Sequence, residues 1–455
     1  MHRLNKGKEA TIRESLLVHV WNRQLIKRDC LSTVDGKRIE VLHPGHENND
    51  SGPDFCNAII TIDGGTPLKG DVELHISPRE WQAHSHHKDP NFNGVILHVV
   101  MWDDGKEASL LQSGEMVPIL ALRPYLNGSL KELGCAMQLS LKPDEPCHKA
   151  LERYGKARVF DVLSEAGEQR FYSKAKRFWI ALATGEADQV LYEGLMTALG
   201  YAKNKKPFEK LAQLLPLKAL RELATQGKLL EIQALMLGMA RLLPSEKPRR
   251  NDEPNLSAPD EIEIGRLEQA WNSSGIKGIM NISEWRFFRV RPENFPSRRI
   301  VAASYLIVGC GGELLENLLI PISQPSLSKA QKELEKSFLI KVNGYWASHF
   351  DFGIEAGWCP TLIGQGRARD IIVNAVLPFS FAWADKASLP RLKDQSMKLY
   401  QNYPTLQGNW ITRYMEEQIF NDQKTRISSA HCQQGLIHLY KTFCVEHKCH
   451  HCSLG

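Results

Sequence analysis

The pattern of apolar and polar positions changes period along the chain, and the change divides it. Over roughly the first 125 residues short runs alternate with turn signals. RESLLVHVWNRQLI reads as an amphipathic helix: Leu17, Val18 and Trp21 fall three, four and seven residues after Glu14, so Glu14 shares the apolar stripe. After Cys30 the runs become strand-like. LSTVDGKRIEVLH carries a DG turn between two apolar runs, a hairpin signal. FCNAIITIDGG alternates and ends in a turn, GDVELHIS is a short strand stopped by Pro78, and NGVILHVVMW is a strongly apolar strand. SPREWQAHSHH, between the last two, predicts a helix start capped by Ser77 with Pro78 in the first helical position. The order is helix, three strands, a helical or loop crossover, then a strand.

From about Leu151 the patterns turn long and helical. Pro244 to Asp260, rich in proline and charge, is the clearest linker. The expected division is therefore 1–125, a basic helical region 126–260, and a second helical region 261–455. Composition supports a globular chain: 42% of the 455 residues are apolar and 24% charged. No apolar run is long enough for a membrane helix, and the start lacks an apolar signal region, so a cytoplasmic protein without a membrane partner is expected. The net charge of +5 does not by itself argue for nucleic acid, but Leu151 to Arg250 holds 18 Lys/Arg against 11 Asp/Glu. Such a basic stretch either meets phosphates or forms solvated helix faces.

The chemistry concentrates between Gly52 and His75. Eighteen residues separate Asp54 from Glu73, room for a strand, a turn and the next strand. A hairpin sets the two carboxylates side by side, an arrangement that is costly unless a cation neutralises them. Mg²⁺ or Mn²⁺ suits oxygen ligands and bound waters, and such a site activates water for phosphodiester hydrolysis. Glu14 is the candidate third carboxylate, whereas Asp63 and Asp71 read as turn residues.

These residues, in this order of elements, resemble the PD-(D/E)XK nuclease superfamily. Pro53-Asp54 matches its PD element, Glu73-Leu74-His75 its D/E-x-K triplet with histidine in place of lysine, and Glu14 its first-helix acid. The resemblance covers roughly residues 10–110. It implies an α+β protein: an N-terminal restriction-endonuclease-like αβββαβ core followed by a large, mostly α-helical region. It also implies a metal-dependent nuclease with Glu14, Asp54, Glu73 and His75 as catalytic residues. Histidine at 75 is mostly neutral near pH 7, so it acts as base or metal ligand, or it marks a site that binds nucleic acid without cutting. The whole chain also looks like a bacterial family catalogued as domain of unknown function 2851. That likeness rests on LVHVWNRQLI, NNDSGPDF, GDVELHIS, HSHHKDP and VILHVV together with the cysteine tail.

Two further clusters carry ligand chemistry. WQAHSHHKDP places His84, His86, His87 and Asp89 just after the acidic triplet. His84 and His86 are candidate ligands of the same metal as Asp54 and Glu73, which admits Mn²⁺ or Zn²⁺; His98 reads as a core histidine. Near the end, Cys444, Cys449 and Cys452 are spaced C-x4-C-x2-C, with Cys432 eleven intervening residues upstream. Four thiolates suit a [4Fe–4S] cluster, and Zn²⁺ is the alternative, with His450 or His447 as further ligands. The spacing resembles in style the uneven cysteine patterns of iron–sulfur nucleases. A metal- or redox-sensing interaction protein centred on this tail is a third reading.

Glu284 to Ile300 interleaves Arg286, Arg289, Arg291, Arg298 and Arg299 with Trp285, Phe287, Phe288 and Phe295, a candidate nucleic-acid contact. Aromatics packing inward at a helix-to-loop junction produce the same pattern. Gly364-Gln365-Gly366 lacks a Walker lysine and supports no nucleotide site.

Overall fold

The computed structural model describes residues 14–48, 52–130, 146–201, 203–246, 258–287, 290–355, 357–421, 425–445 and 448–455. The chain forms a mixed α+β structure of two compact units, Met1–Pro143 and Asp144–Gly455.

The first unit opens with α1, Glu14–Asn22, whose Leu17, Val20 and Trp21 are fully buried. Gln24, at φ +50°, ends the helical path. The DG turn forms, with Gly36 at φ +87° and the Thr33 amide donating to the Lys37 carbonyl at 2.9 Å. Its arms make only an isolated bridge, Ser32 to Arg38, instead of the expected hairpin. Strand β1, Ile39–His43, pairs with β3, Phe55–Ile62, because Ile39 and Val41 need an apolar neighbour and find Ile62 and Ile60. Strand β2, His46–Glu47, caps the start of β3, and β4, Leu68–His75, returns antiparallel. A register shift between Phe55 and Ala58, with Asn57 at φ +59°, bends β3 beside its first residues.

Strand β5, Val95–Val100, lies parallel to β4, and β7, Met116–Ala121, lies parallel to β5; β6, Ala108–Leu110, closes the edge. The sheet order is β1-β3-β4-β5-β7-β6, with β2 on β3. A parallel β4–β5 pair requires a crossover, and residues 76–94 supply it with one helical turn, α2 at Glu80–Ala83, and two 3₁₀ turns. The helix predicted to start at Ser77 is therefore a single turn, ended by Ser85 at φ +61°. Trp81 and Phe92 pin this crossover to Val95, Leu111 and Val117, and Trp81 Nε1 donates to the Leu110 carbonyl at 2.9 Å.

Side chains alternate along β4. Val72 and Leu74 join Leu17, Val20 and Trp21 in the core on the α1 side. Glu73 and His75 thereby point to the opposite face, where the crossover lies.

The second unit is predominantly helical. One core runs from Phe171 and Leu237 through Ala303 and Leu334 to Phe379 and Tyr403. Helices before and after residue 260 bury their apolar stripes against one another. Most of the expected linker falls outside the described residues. Helices Ala150–Thr184 and Ala430–Leu439 pack closely because two glycines sit at the crossing. A Cβ on Gly435 would stand 2.0 Å from the Leu163 carbonyl oxygen, and one on Gly167 2.4 Å from that of His431. Among the described residues no single helix is long and apolar enough to cross a membrane.

Candidate metal centre

The pairing of Phe55 with Val72 sets Asp54 directly opposite Glu73. Each carboxylate is fixed by the other's strand. The Asp54 amide donates to Glu73 Oε2 at 2.9 Å, and the Leu74 amide donates to Asp54 Oδ2 at 3.1 Å. The remaining Glu73 oxygen, Oε1, lies 3.3 Å from His86 Nε2 and 3.6 Å from His75 Nε2. The juxtaposition of Asp54 and Glu73 is as the sequence suggested. Asp63 sits in a turn, as expected, and accepts the Arg38 amide, whereas Asp71, expected in a turn, lies within β4 and accepts the Asn57 amide.

Three imidazoles meet this pair. His75, His84 and His86 each bring a ring nitrogen within 4.8 Å of the others. His75 Nε2 is 3.1 Å from His84 Nδ1, and His75 Nδ1 is 3.0 Å from His98 Nε2. His98 Nδ1 is in turn 2.7 Å from Ser109 Oγ. His86 Nε2 is sealed from solvent and makes no hydrogen bond, despite the nearby Glu73 oxygen. The crossover is what places His84 and His86 over His75, and the ring of His86 rests on Phe92 at 3.8 Å between centroids.

Burial, reinforced by the neighbouring histidines His98, His86 and His84, lowers His75 to a pKa of about 2. Burial, then His86 and Lys106, lowers His98 to about 3. Both rings are neutral at physiological pH and present lone pairs, not charge. Burial also lowers His86, against the pull of Asp89, Asp54 and Glu14. Glu14 is thus near enough to act on His86, but it is the exposed first residue of α1 and not a member of the buried apolar stripe. His98, expected as a core histidine, is fully buried and also links His75 to Ser109. Ser109 gave no signal in the sequence, since a lone serine on a short edge strand resembles any other.

The donor set fits a divalent ion. Two nitrogens on one tetrahedral ion at about 2.0–2.1 Å stand roughly 3.3 Å apart, close to the His75–His84 spacing. Imidazole and carboxylate together suit Mn²⁺, Zn²⁺ and neighbouring transition ions better than Mg²⁺, which prefers oxygen.

The cysteines regroup. Cys444, Cys449 and Cys452 line one small cavity, and the fourth cysteine on its wall is Cys147, not Cys432. Cys432 is corrected for a simple geometric reason. Helix Ala430–Leu439 continues through a wider turn, Tyr440–Cys444, so twelve residues at about 1.5 Å each hold Cys432 roughly 18 Å from Cys444. Its sulfur instead lies 3.6 Å from Ser164 Oγ. His450 is exposed, and His447 lies outside the described residues.

The arginine row also divides. Arg298 and Arg299 are buried, at 1% and 3% exposure, which corrects their expected contact with nucleic acid. Arg298 donates to the carbonyls of Trp346, His349 and Cys359, and Arg299 to the carbonyl of Leu362 and the side chain of Asn294. Burial lowers Arg299 to about 9. Arg286 and Arg291 are exposed, and Arg289 lies outside the described residues. Trp285 is buried and Phe287 packs on Phe295 at 5.5 Å, so these aromatics face inward.

A different basic cluster exists that the sequence did not single out. Lys174 Nζ donates to Asn374 at 2.6 Å and Gln434 at 2.7 Å, and Arg170 Nε shares Gln434 at 2.8 Å. Burial, then Arg170, Lys205 and Lys441, holds Lys174 well below the usual lysine range; Asp370 opposes them. Arg177 and Arg367 act on Lys205 in the same sense.

An N-terminal sheet with a buried His/carboxylate centre, followed by a large helical region, defines a mixed α+β protein of two units. The chain belongs to the family described as Protein of unknown function (DUF2851), whose profile matches residues 14–408. Comparison with curated proteins and with solved structures gives no match.

Proposed function

We propose that the chain is a metal-dependent nuclease, hydrolysing phosphodiesters of DNA or RNA at the sheet centre, in the manner of PD-(D/E)XK enzymes. The observation that carries this reading is the pair Asp54–Glu73, cross-bonded on β3 and β4 and joined by three imidazoles with the orphaned His86 Nε2 among them. The sheet supports it: three antiparallel strands, a crossover and a parallel strand follow α1, the order in that superfamily.

Glu73 Oε1, His75 Nε2, His84 Nδ1 and His86 Nε2 would hold a divalent ion, with Asp54 beside them. Mn²⁺ or Zn²⁺, if bound there, would supply Lewis-acid chemistry and an activated water. With Nε2 of His75 turned to the ion, Nδ1–H donates to His98 Nε2, and His98 Nδ1–H donates to Ser109 Oγ; this chain fixes tautomer and ring angle. Both nitrogens of His75 are thereby engaged, so His75 is a ligand here rather than the base. Glu14 adds negative charge at the site. Lys205 and Lys441, the exposed members of the basic cluster, offer phosphate contacts on the helical unit.

The test is cleavage of single- and double-stranded DNA and of RNA by the full chain with Mn²⁺, Zn²⁺ or Mg²⁺, set against Glu73→Ala and Asp54→Ala. Cleavage by wild type that both variants lose supports the proposal; cleavage that survives in both, or none by wild type, sinks it. The neutral, buried His75 in place of a lysine favours a second reading, a nucleic-acid-binding module that does not cut. Metal and nucleic-acid binding without hydrolysis would select it.

A further inference from the structure

The geometry points to a four-thiolate site, Cys147, Cys444, Cys449 and Cys452, that holds a [4Fe–4S] cluster in the helical unit. The four cysteines come from two segments nearly 300 positions apart and line one cavity with Met415 and Leu439. Convergence of four among ten cysteines on one small apolar space is a demanding arrangement.

Local structure holds each sulfur-bearing segment in place. The turn carrying Cys147 is fixed by Arg153, which donates to the carbonyls of Pro146 and His148 at 2.6 Å, and by the Lys149 amide on the Gln418 carbonyl at 2.9 Å. Cys444 sits in a widened helical turn, closed by the Val445 amide on the Tyr440 carbonyl at 3.0 Å. Such turns recur at functional sites because they rotate side chains off the regular helical spacing. Cys449 and Cys452 span a 3₁₀ turn closed at 2.9 Å. The Gly455 amide donates to the Cys452 carbonyl at 3.0 Å, which holds the residues after Cys452 against this turn. Gly455 fits there because a Cβ would stand 2.1 Å from the Cys449 carbonyl oxygen.

Spacing separates a cluster from a single ion. Four sulfurs on one zinc at about 2.3 Å stand roughly 3.8 Å apart. Among the described residues, only His75, His84 and His86 bring three ligand atoms within 4.8 Å of one another. No three of the four cysteine sulfurs lie that close together, and the donor set of the cavity, four thiols with no imidazole among its lining residues, is the one a [4Fe–4S] cluster takes. Uptake of a preformed cluster releases one proton from each thiol to solvent as each sulfur forms one bond to iron, with no electron transferred.

The test loads the full chain, made anaerobically, with equal amounts of ferrous and ferric iron and with sulfide, which together supply the oxidation level of the 2+ cluster, and measures iron and acid-labile sulfide per chain together with visible absorption. Wild type and Cys432→Ser are expected to hold about four of each, and Cys147→Ser to lose most of both. Circular dichroism checks that Cys147→Ser is folded; if it is not, Cys449→Ser and Cys452→Ser, on a surface turn, carry the same expectation. Loss of iron by Cys432→Ser with retention by Cys147→Ser overturns the assignment. So does a colourless wild type that takes up zinc and no sulfide, or one that takes up neither. None of these results depends on hydrolysis at Glu73.

Discussion

In the sheet unit, Glu73 and His75 are neighbours on one strand face, and His84 and His86 follow within a dozen residues. In the helical unit, Cys147 reaches Cys444 only because helices Ala150–Thr184 and Ala430–Leu439 pack glycine to backbone. The first centre is assembled by strand register and one short crossover, the second by the long-range packing of an entire helical core. Short-range assembly leaves a trace in the sequence as clustered ligands; long-range assembly leaves only part of one.

The comparison is tested most strongly at Glu73. Glu73→Ala is expected to lower Mn²⁺ affinity by more than the roughly 10–100-fold typical of outer-shell changes, read by calorimetry, while leaving iron content at the cysteines unchanged. A matching loss of iron would break the separation of the two centres. Next, His98→Asn or Ser109→Ala is expected to cost about 10–100-fold in Mn²⁺ affinity through ring orientation alone; wild-type affinity in both would remove the relay from the site. In the helical unit, Gly435→Ala forces the helices apart and is expected to cost roughly 1–3 kcal/mol with a parallel drop in iron loading. A normal denaturation midpoint would show that the close approach is not needed.

The pH dependence is a finer test. His75 and His98 have folded pKa values of about 2 and about 3, below the unfolded value of about 6.5. Their contribution to stability is complete above about pH 6.5 and declines as pH falls toward those folded values, because the unfolded chain takes up protons first. Metal-free protein is expected to melt at lower temperature at pH 5 than at pH 7.5. A flat profile would mean that the rings are not buried neutral. The smallest effect concerns Lys205→Glu with Lys441→Glu, expected to reduce the salt dependence of nucleic-acid binding by about 0.7–0.9 per lost phosphate contact. An unchanged slope would exclude the cluster from the interface.

Much of the sheet centre was legible. Asp54 and Glu73 are separated by one strand-turn-strand, and alternation along GDVELHIS puts Glu73 and His75 on one face. Glu14 misled because helical periodicity assigns a stripe but does not say where the first turn emerges from the core. Arg298 and Arg299 misled for a related reason. Arginine beside aromatics describes a phosphate clamp and equally a buried guanidinium satisfied by carbonyls, and only the fold that delivers those carbonyls decides. Cys432 was chosen by proximity along the chain, although a continuous helix separates it from Cys444. Cys147 lies nearly 300 positions before Cys444, so nothing short of the packed helices ties it to the tail.

The reciprocal tie between Asp54 and Glu73 has a consequence for timing. Because each carboxylate is held by the amide of the opposite strand, the shape of the centre is set when β3 and β4 zip together, before any ion arrives. An ion taken up there would enter a mould already set by the two strands. Its rate of capture would then be governed by how fast it sheds water, and its departure would leave the mould standing for the next.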